Sequence, residues 1–226
     1  MSDPTHYEGQ GAYMNVRRDM MLFDPAKVGS VLDVGCYTGA TGAYLKSVNP
    51  DLRLVGLDVV AEALGEARKV YEDVHLVDLD RPGALSCLGG ARFDIILLGD
   101  VLEHLKQPEL ALTVLADHLG AEGRIVCSLP NIQFWEAIAT IALGRFPRRP
   151  AGLFDRTHLR FFTRREALGL FASSNTEVVS MNRNIRLIEY KPLLFLNRLA
   201  AVLKPLLLLF APYFTYQFVF VLRAKR

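Results

Sequence analysis

Cysteine is scarce in this chain. Only Cys36, Cys87 and Cys127 occur among 226 residues. They are odd in number and widely spaced, with no C-x-x-C pair, which excludes a disulfide framework and a zinc knuckle and suits a reducing, cytoplasmic setting. Charge of one sign is also missing. The 26 basic and 24 acidic side chains leave a net charge of +2, so no general affinity for nucleic acid follows. A long uninterrupted apolar run is absent too. The most apolar stretch, Pro192 to Leu222, is broken by Arg198, Lys204, Pro205 and Pro212. A membrane span needs about 20 apolar residues in a row, so an exposed apolar surface is expected here instead. The opening Met1-Ser2-Asp3-Pro4-Thr5-His6 is polar and carries no secretory signal. There is no internal repeat, no low-complexity tract and no clustered set of metal ligands. What remains is a chain 51% hydrophobic, long enough to bury a substantial core as one domain.

The hydrophobic pattern alternates strands with helices. After an N-terminal helical segment (1–27, with Tyr13, Arg17 and Met21 at helical spacing over 8–24), strands are expected at Ser30–Val34, Leu52–Asp58, Val74–Val77, Phe93–Gly99 and Gly123–Leu129. Helices are expected at Thr41–Val48, Ala61–Tyr71 and Pro108–Leu119. The run Phe93–Gly99 is nearly all apolar, as in a strand buried on both faces of a parallel sheet. Beyond Pro130 come a helix at Trp135–Leu143, an arginine-rich loop at 145–150, a helix from Glu166 to Ser173 opened by a Thr163/Glu166 capping box, and a strand at Thr176–Ser180. Leu193–Ala211 reads as helical, broken near Lys204-Pro205, and Thr215–Leu222 as a last strand. The pattern predicts an α/β fold with helices on both faces, in which ligands bind beyond the carboxyl ends of the strands.

Several chemistry-bearing residues fall at those ends. The stretch Asp33-Val34-Gly35-Cys36-Tyr37-Thr38-Gly39 is a strand end followed by a glycine-rich turn into a helix. Its spacing departs from the dinucleotide fingerprint G-x-G-x-x-G. Asp58 ends the second strand, where an acid can accept hydrogen bonds from both hydroxyls of a ribose, and Val59 follows. Asp78 and Leu79 close the third strand, with Asp80 competing for the role of Asp78. Gly99-Asp100-Val101-Leu102-Glu103-His104 follows the fourth.

Taken together, these segments resemble the class I S-adenosylmethionine (SAM) methyltransferases, over roughly residues 28–132. Residues 33–39 are similar to motif I, with Tyr37 where the middle glycine stands. The Asp100-to-His104 turn is similar to motif IV of the superfamily that includes the ubiquinone and menaquinone methylating enzymes. The segment Phe154–Thr163, a histidine followed by an aromatic pair and a capped helix, resembles a branch associated with glycan and cell-envelope biosynthesis. The resemblance implies a Rossmann-like seven-stranded sheet of order 3-2-1-4-5-7-6 with strand 7 antiparallel. It also implies SAM as cofactor and S-adenosylhomocysteine (SAH) as product. Its cofactor contacts would be Asp33, Gly35, Cys36, Tyr37, Gly39, Asp58, Val59, Asp78, Leu79, Gly99 and Asp100.

For chemistry, His158 is the first candidate base, since neutral imidazole can take a hydroxyl proton near pH 7, and His104 and Glu103 on the loop after the fourth strand are further candidates. Each can equally be a loop tether. Tyr13, Arg17, Arg156 and Arg160 are substrate-binding candidates. His158 and His104 favour oxygen as the acceptor atom, while the Asp155–Thr163 resemblance and the arginines, whose forks suit phosphate, point to a small molecule such as a phosphorylated sugar or a lipid-linked glycan intermediate. Residues 131–165 would form a substrate lid and 183–215 an apolar helical insertion between strands six and seven. The apolar segment 192–214 is expected to pack in a homodimer or on itself, with a peripheral membrane contact as the second reading. Two alternatives stay open: a SAM-fold scaffolding protein without catalysis, which Tyr37 favours, and an NAD-dependent oxidoreductase.

Overall fold

The computed structural model describes residues 15–189 and 191–225. Among them seven strands form one sheet: β1 (Ser30–Val34), β2 (Arg53–Asp58), β3 (Asp73–Leu76), β4 (Phe93–Gly99), β5 (Leu119–Pro130), β6 (Thr176–Ile185) and β7 (Thr215–Ala224). Their order is β3-β2-β1-β4-β5-β7-β6. The pairs from β3 to β5 are parallel, and β7 runs antiparallel to both β5 and β6. This is the expected order and the expected reversed strand.

Alternation along the strands builds two cores. Leu32, Val34, Ile96 and Leu98 face one way and pack under α3 (Pro108–Ala116) and α5 (Arg164–Ser173). Val31, Ile95, Leu97 and Val126 face the other way, toward α1 (Ala40–Val48) and α2 (Leu64–Ala67). Successive strand side chains point to opposite faces, so a strand covered on both sides must be apolar throughout. The polar exception in β4, Asp94, is exposed and accepts from the amides of Gly29 and Ser30 at 2.8 and 3.0 Å, fixing β1 against β4. Thr163 caps α5, its hydroxyl accepting from the Glu166 amide and donating to the Glu166 carboxylate.

Some elements differ from expectation. Within residues 15–27 there is no α-helix, only two short 3-10 turns, Arg18–Met20 and Pro25–Lys27. Arg17 turns inward to a polar network, which breaks the helical register, and Met20 rather than Met21 is buried. The expected helix over 61–71 shrinks to α2, flanked by turns bonded at i to i+3, because Tyr71 is drawn under α1. β5 begins four residues early, at Leu119, through a register shift opposite Phe93 and Ile95. β6 runs on to Ile185 against β7, so the helical connection occupies 186–214. Within it, α6 (Asn197–Leu209) passes through Pro205 unbroken and ends at Phe210; α7 (Ala211–Phe214) follows. α4 (Trp135–Ala142) lies in the segment after β5. Among the described residues no helix is long and apolar enough to cross a membrane.

Candidate functional site

The carboxyl ends of β1, β2 and β4 converge on the loop after β1. Gly35 adopts φ +78°, a region that costs side chains but not glycine. A Cβ there would meet Val101 at 2.9 Å. The amides of Gly35 and Cys36 both donate to the Leu57 carbonyl, at 2.8 and 3.1 Å, tying the loop to β2. Behind the loop Tyr71 donates its hydroxyl to Asp33 at 2.6 Å and accepts from the Gly42 amide at 3.1 Å. Gly42 is required by closeness: a Cβ there would lie 2.4 Å from the Tyr71 ring. Burial lifts the Asp33 carboxyl to about 6, although the Tyr71 hydrogen bond opposes the shift.

Asp58 is buried and accepts from the Tyr37 amide at 2.7 Å on one oxygen and the Val60 amide at 2.8 Å on the other. Burial raises its pKa and these amides pull it back. A carboxylate oxygen has about two acceptor sites, so each oxygen keeps capacity for a further donor. Tyr37 itself holds φ +47°, a left-handed conformation that costs about 1–2 kcal/mol outside glycine. A first cavity opens here, lined by Gly35, Tyr37, Asp58, Val59, Leu79, Gly99, Asp100 and His104 among others. Asp78 does not line it: its carboxylate pairs with Arg81 and accepts from the Asp80 amide. Asp80 instead receives the amides of Lys106 and Gln107, pinning the loop beyond β4.

Asp100 is the hub between β4, β5 and β7. It holds φ +57°. Its carboxylate accepts from Arg17 at 2.7 Å, from Ser128 at 2.8 Å and from the Gln217 amide group. Arg17 also donates to Asp19, to Ser128 at 3.0 Å and to the Gln217 side-chain carbonyl at 3.3 Å. Such charge-assisted bonds are the strong ones. Arg17, the substrate-binding candidate, therefore spends its guanidinium on the protein, although it does line a second cavity. That cavity is larger, about 480 Å³ against about 120 Å³. Asp33, Cys36, Glu103, Asp155, His158 and Arg186 contribute to its wall. Gly35, Gly99 and Asp100 line both cavities, so the two meet there.

Glu103 and His158, in the wall of the second cavity, come together with His104, which lines the first. The Leu159 and Arg160 amides both donate to the Glu103 carbonyl, at 2.9 and 3.1 Å, which carries His158 onto Glu103. His158 Nε2 lies 3.9 Å from Glu103 Oε1, too far for a direct hydrogen bond. His104 Nδ1 sits 3.2 Å from the Thr157 carbonyl, and its ring meets His158 edge-on at 4.9 Å. Neither oxygen of Glu103, nor Nδ1 of His158, has a hydrogen-bond partner among the described residues. Burial pushes the Glu103 carboxyl well up, helped by the charge of Asp100. Burial, then the His104 neighbour, holds His158 down at about 4. His104 is lowered by burial as well.

The sequence contained no clustered metal ligands, yet the fold assembles three ligand-bearing side chains. One ligand atom each from Glu103, His104 and His158 lie within 4.8 Å of one another, a set that could hold a metal ion. Sequence separation hid it, because His158 arrives through the loop that follows the arginines. Gly39, Arg156 and Arg160 line neither cavity. Arg160 pairs with Glu109 and donates to the Lys106 carbonyl. Tyr13 lies outside the described residues. Tyr71, Ser128 and Gln217 carry no local signal of their roles, since each works through a partner far away in sequence.

A family model described as a methyltransferase domain matches residues 10–181. Two curated relatives are similar over part of their length. An uncharacterized Synechococcus protein is 31% identical over 99 residues, 41% of this chain and 23% of that protein. An uncharacterized 37.1 kDa protein in transposon TN4556 of Streptomyces fradiae is 30% identical over 138 residues, 56% of this chain and 36% of that protein. The chain thus spans about a quarter to a third of the relatives it matches. Among solved structures, a SAM-dependent methyltransferase from Archaeoglobus fulgidus superposes with TM-score 0.60 at 14% identity, covering 89% of this chain and 88% of that one. The plantazolicin methyltransferase BpumL, in complex with SAH, gives TM-score 0.57 at 19% identity over 88% and 77% of the two chains. The magnesium protoporphyrin IX methyltransferase of Synechocystis, with bound SAH, gives 0.55 at 14% over 87% and 74%. At such identities the likeness speaks for the fold.

Proposed function

The chain belongs to the methyltransferase-domain family, and on that premise we propose that it is a SAM-dependent methyltransferase acting on a hydroxyl group held in the second cavity. The observation that carries this reading is the meeting of the two cavities at Gly35, Gly99 and Asp100, with His158 and Glu103 on the far side. The residues present fit the cofactor. Asp58 has acceptor capacity left for a ribose diol, as the acid at a second strand end commonly does. Val59 and Leu79 offer apolar surface for a base. Gly35 lines the cavity without a side chain, so a ligand can approach the loop backbone closely.

When bound, SAM supplies an electrophilic methyl on sulfonium. The protein's own work is then alignment, exclusion of water and proton removal. Alignment alone can account for much of the rate. As the acceptor oxygen gains the methyl, its proton becomes strongly acidic, so even an imidazole held near 4 can take it. His158 lines the second cavity and is the base in this reading. The resulting imidazolium lies 3.9 Å from Glu103 and, held at about 4, passes its one proton on to solvent before the next turnover.

Oxygen as acceptor rests on this histidine–carboxyl pair. A sugar or lipid-linked glycan intermediate as substrate class rests on the resemblance of Phe154–Thr163. Arg18 and Arg186 in the cavity wall provide the cationic side for it. The deciding experiment is calorimetric titration with SAM, SAH and NAD in parallel, followed by transfer of labelled methyl to hydroxyl acceptors. Binding of the first two and none of NAD is expected. Absence of SAM binding would move the scaffolding reading to first place.

A further inference from the structure

Two helices keep apolar faces out of the core. On α6, Leu199, Val202, Leu206 and Leu209 recur at intervals of three and four and form one stripe. They are 51%, 77%, 57% and 75% exposed, while Ala200 and Leu207 turn inward. On α4, Trp135, Ile138 and Ile141 are also exposed along one face, with Ala137 buried behind them. The two faces are joined. The Trp135 indole donates to the Leu187 carbonyl at 2.6 Å, and the Leu187 and Ile188 amides donate to the Asn197 side chain at 2.8 and 3.0 Å. Asn197 is the first residue of α6, so both helices start from one knot.

The exposed charges at the margin of this surface are basic, while its two acids, Glu136 and Glu189, are only partly exposed. Arg145, Arg148 and Arg198 are exposed around it. Its acids are engaged: Glu136 receives the Glu189 amide, and Glu189 receives the Leu153 amide and the Tyr216 hydroxyl. We infer that α4 and α6 dock on the anionic face of a lipid bilayer, with the leucine stripe in the headgroup–acyl boundary and the arginines among the phosphates. Helices with an apolar face and a basic flank lie in that plane rather than spanning it, and negative lipid attracts basic residues held next to it. The charge decides between this occupant and a second copy of the chain. A two-fold interface brings the same patch from both copies, so it adds a second set of arginines and no exposed acid to pair with them. The bilayer neutralises it. Gly152 and Arg186, beside the same surface, line the second cavity. On the methyltransferase reading, docking therefore presents that cavity to a lipid-borne acceptor.

The test is flotation of the full chain with vesicles of phosphatidylcholine alone and of phosphatidylcholine with phosphatidylglycerol, at low and high salt. Flotation with the anionic vesicles, reduced by high salt, is expected. Val202→Asp with Leu209→Asp, and separately Arg145→Glu with Arg198→Glu, should each lower the bound fraction at least about tenfold. All these side chains are exposed, so thermal denaturation should match the parent. No flotation with any vesicle, or undiminished flotation of the Val202→Asp/Leu209→Asp chain, overturns the inference. So does a parent that sediments as a dimer and becomes monomeric in that variant without ever floating. Flotation needs no cofactor, so its failure is distinct from a failure to bind SAM.

Discussion

The hydroxyl of Tyr71 donates to Asp33 across 2.6 Å in the buried space between β1 and α1. The acid that opens the glycine loop is thus held from behind by a phenol 38 positions away, and the same phenol braces the Gly42 amide. Tyr71→Phe leaves Asp33 buried without this partner and the Gly42 amide unpaired. A loss of about 1–3 kcal/mol is expected, measured by urea denaturation. An unchanged midpoint would show that the loop does not depend on this link.

Asp33 also makes stability depend on pH. Its folded pKa of about 6 lies above the unfolded value, so the folded chain binds the proton more tightly. Stability contributed by this group is fullest below about pH 4 and falls as pH rises through about 6. Asp33→Asn removes that slope. The variant should gain on the parent by up to about 3 kcal/mol above pH 6 and lose the advantage near pH 4, as read by melting temperature across the range.

Asp58→Ala should weaken SAM and SAH at least about tenfold, because hydrogen bonds to a charged group are worth about 1.5–3 kcal/mol. Calorimetry checks it. Tyr37→Gly supplies the counterpart: it relieves a left-handed backbone and should stabilise the fold by about 1 kcal/mol. It also strips a side chain from the wall of the first cavity, so cofactor affinity should fall while the melting temperature rises.

His158→Ala should leave cofactor binding intact and lower turnover by about 10²–10⁴. Because burial and His104 hold His158 near 4, it stays neutral across the neutral range. Turnover should therefore stay level as pH falls from about 8 to about 5 and decline only toward 4, whereas an ordinary imidazole would turn over near 6.5. A midpoint near 6.5 in the pH–rate profile would remove His158 from the chemistry.

Chelation separates the two uses of the Glu103, His104 and His158 group. As a proton-handling pair with a neighbouring tether, it should keep full activity in EDTA. Activity lost in EDTA and restored by a divalent cation would make the same three side chains a metal centre.

What was legible in the sequence was local. The apolar run of β4, the acid at the end of β2 and the Thr163 cap each follow from neighbours within a few residues. The sheet order came through the likeness of short motifs at strand ends. What was not legible depends on contacts across the sheet. Arg17 reads as a helix residue until Asp100 and Gln217 claim it, and residues 15–17 are not helical. Glu103 and His158 meet only because two backbone amides clamp their loops together. Pro205 reads as a break, but α6 is so exposed that a missing internal hydrogen bond can be met by solvent.

The bond from Arg17 to Gln217 closes a loop of 200 residues. As the chain leaves the ribosome, every residue that lines the first cavity has emerged once His104 is out, while the second waits for the last strand. Asp100 must stand without its Gln217 partner for 117 further residues of synthesis. A prematurely terminated product would carry the complete lining of one compartment and an unsealed version of the other, able to offer a binding surface but no walled chamber for a reaction.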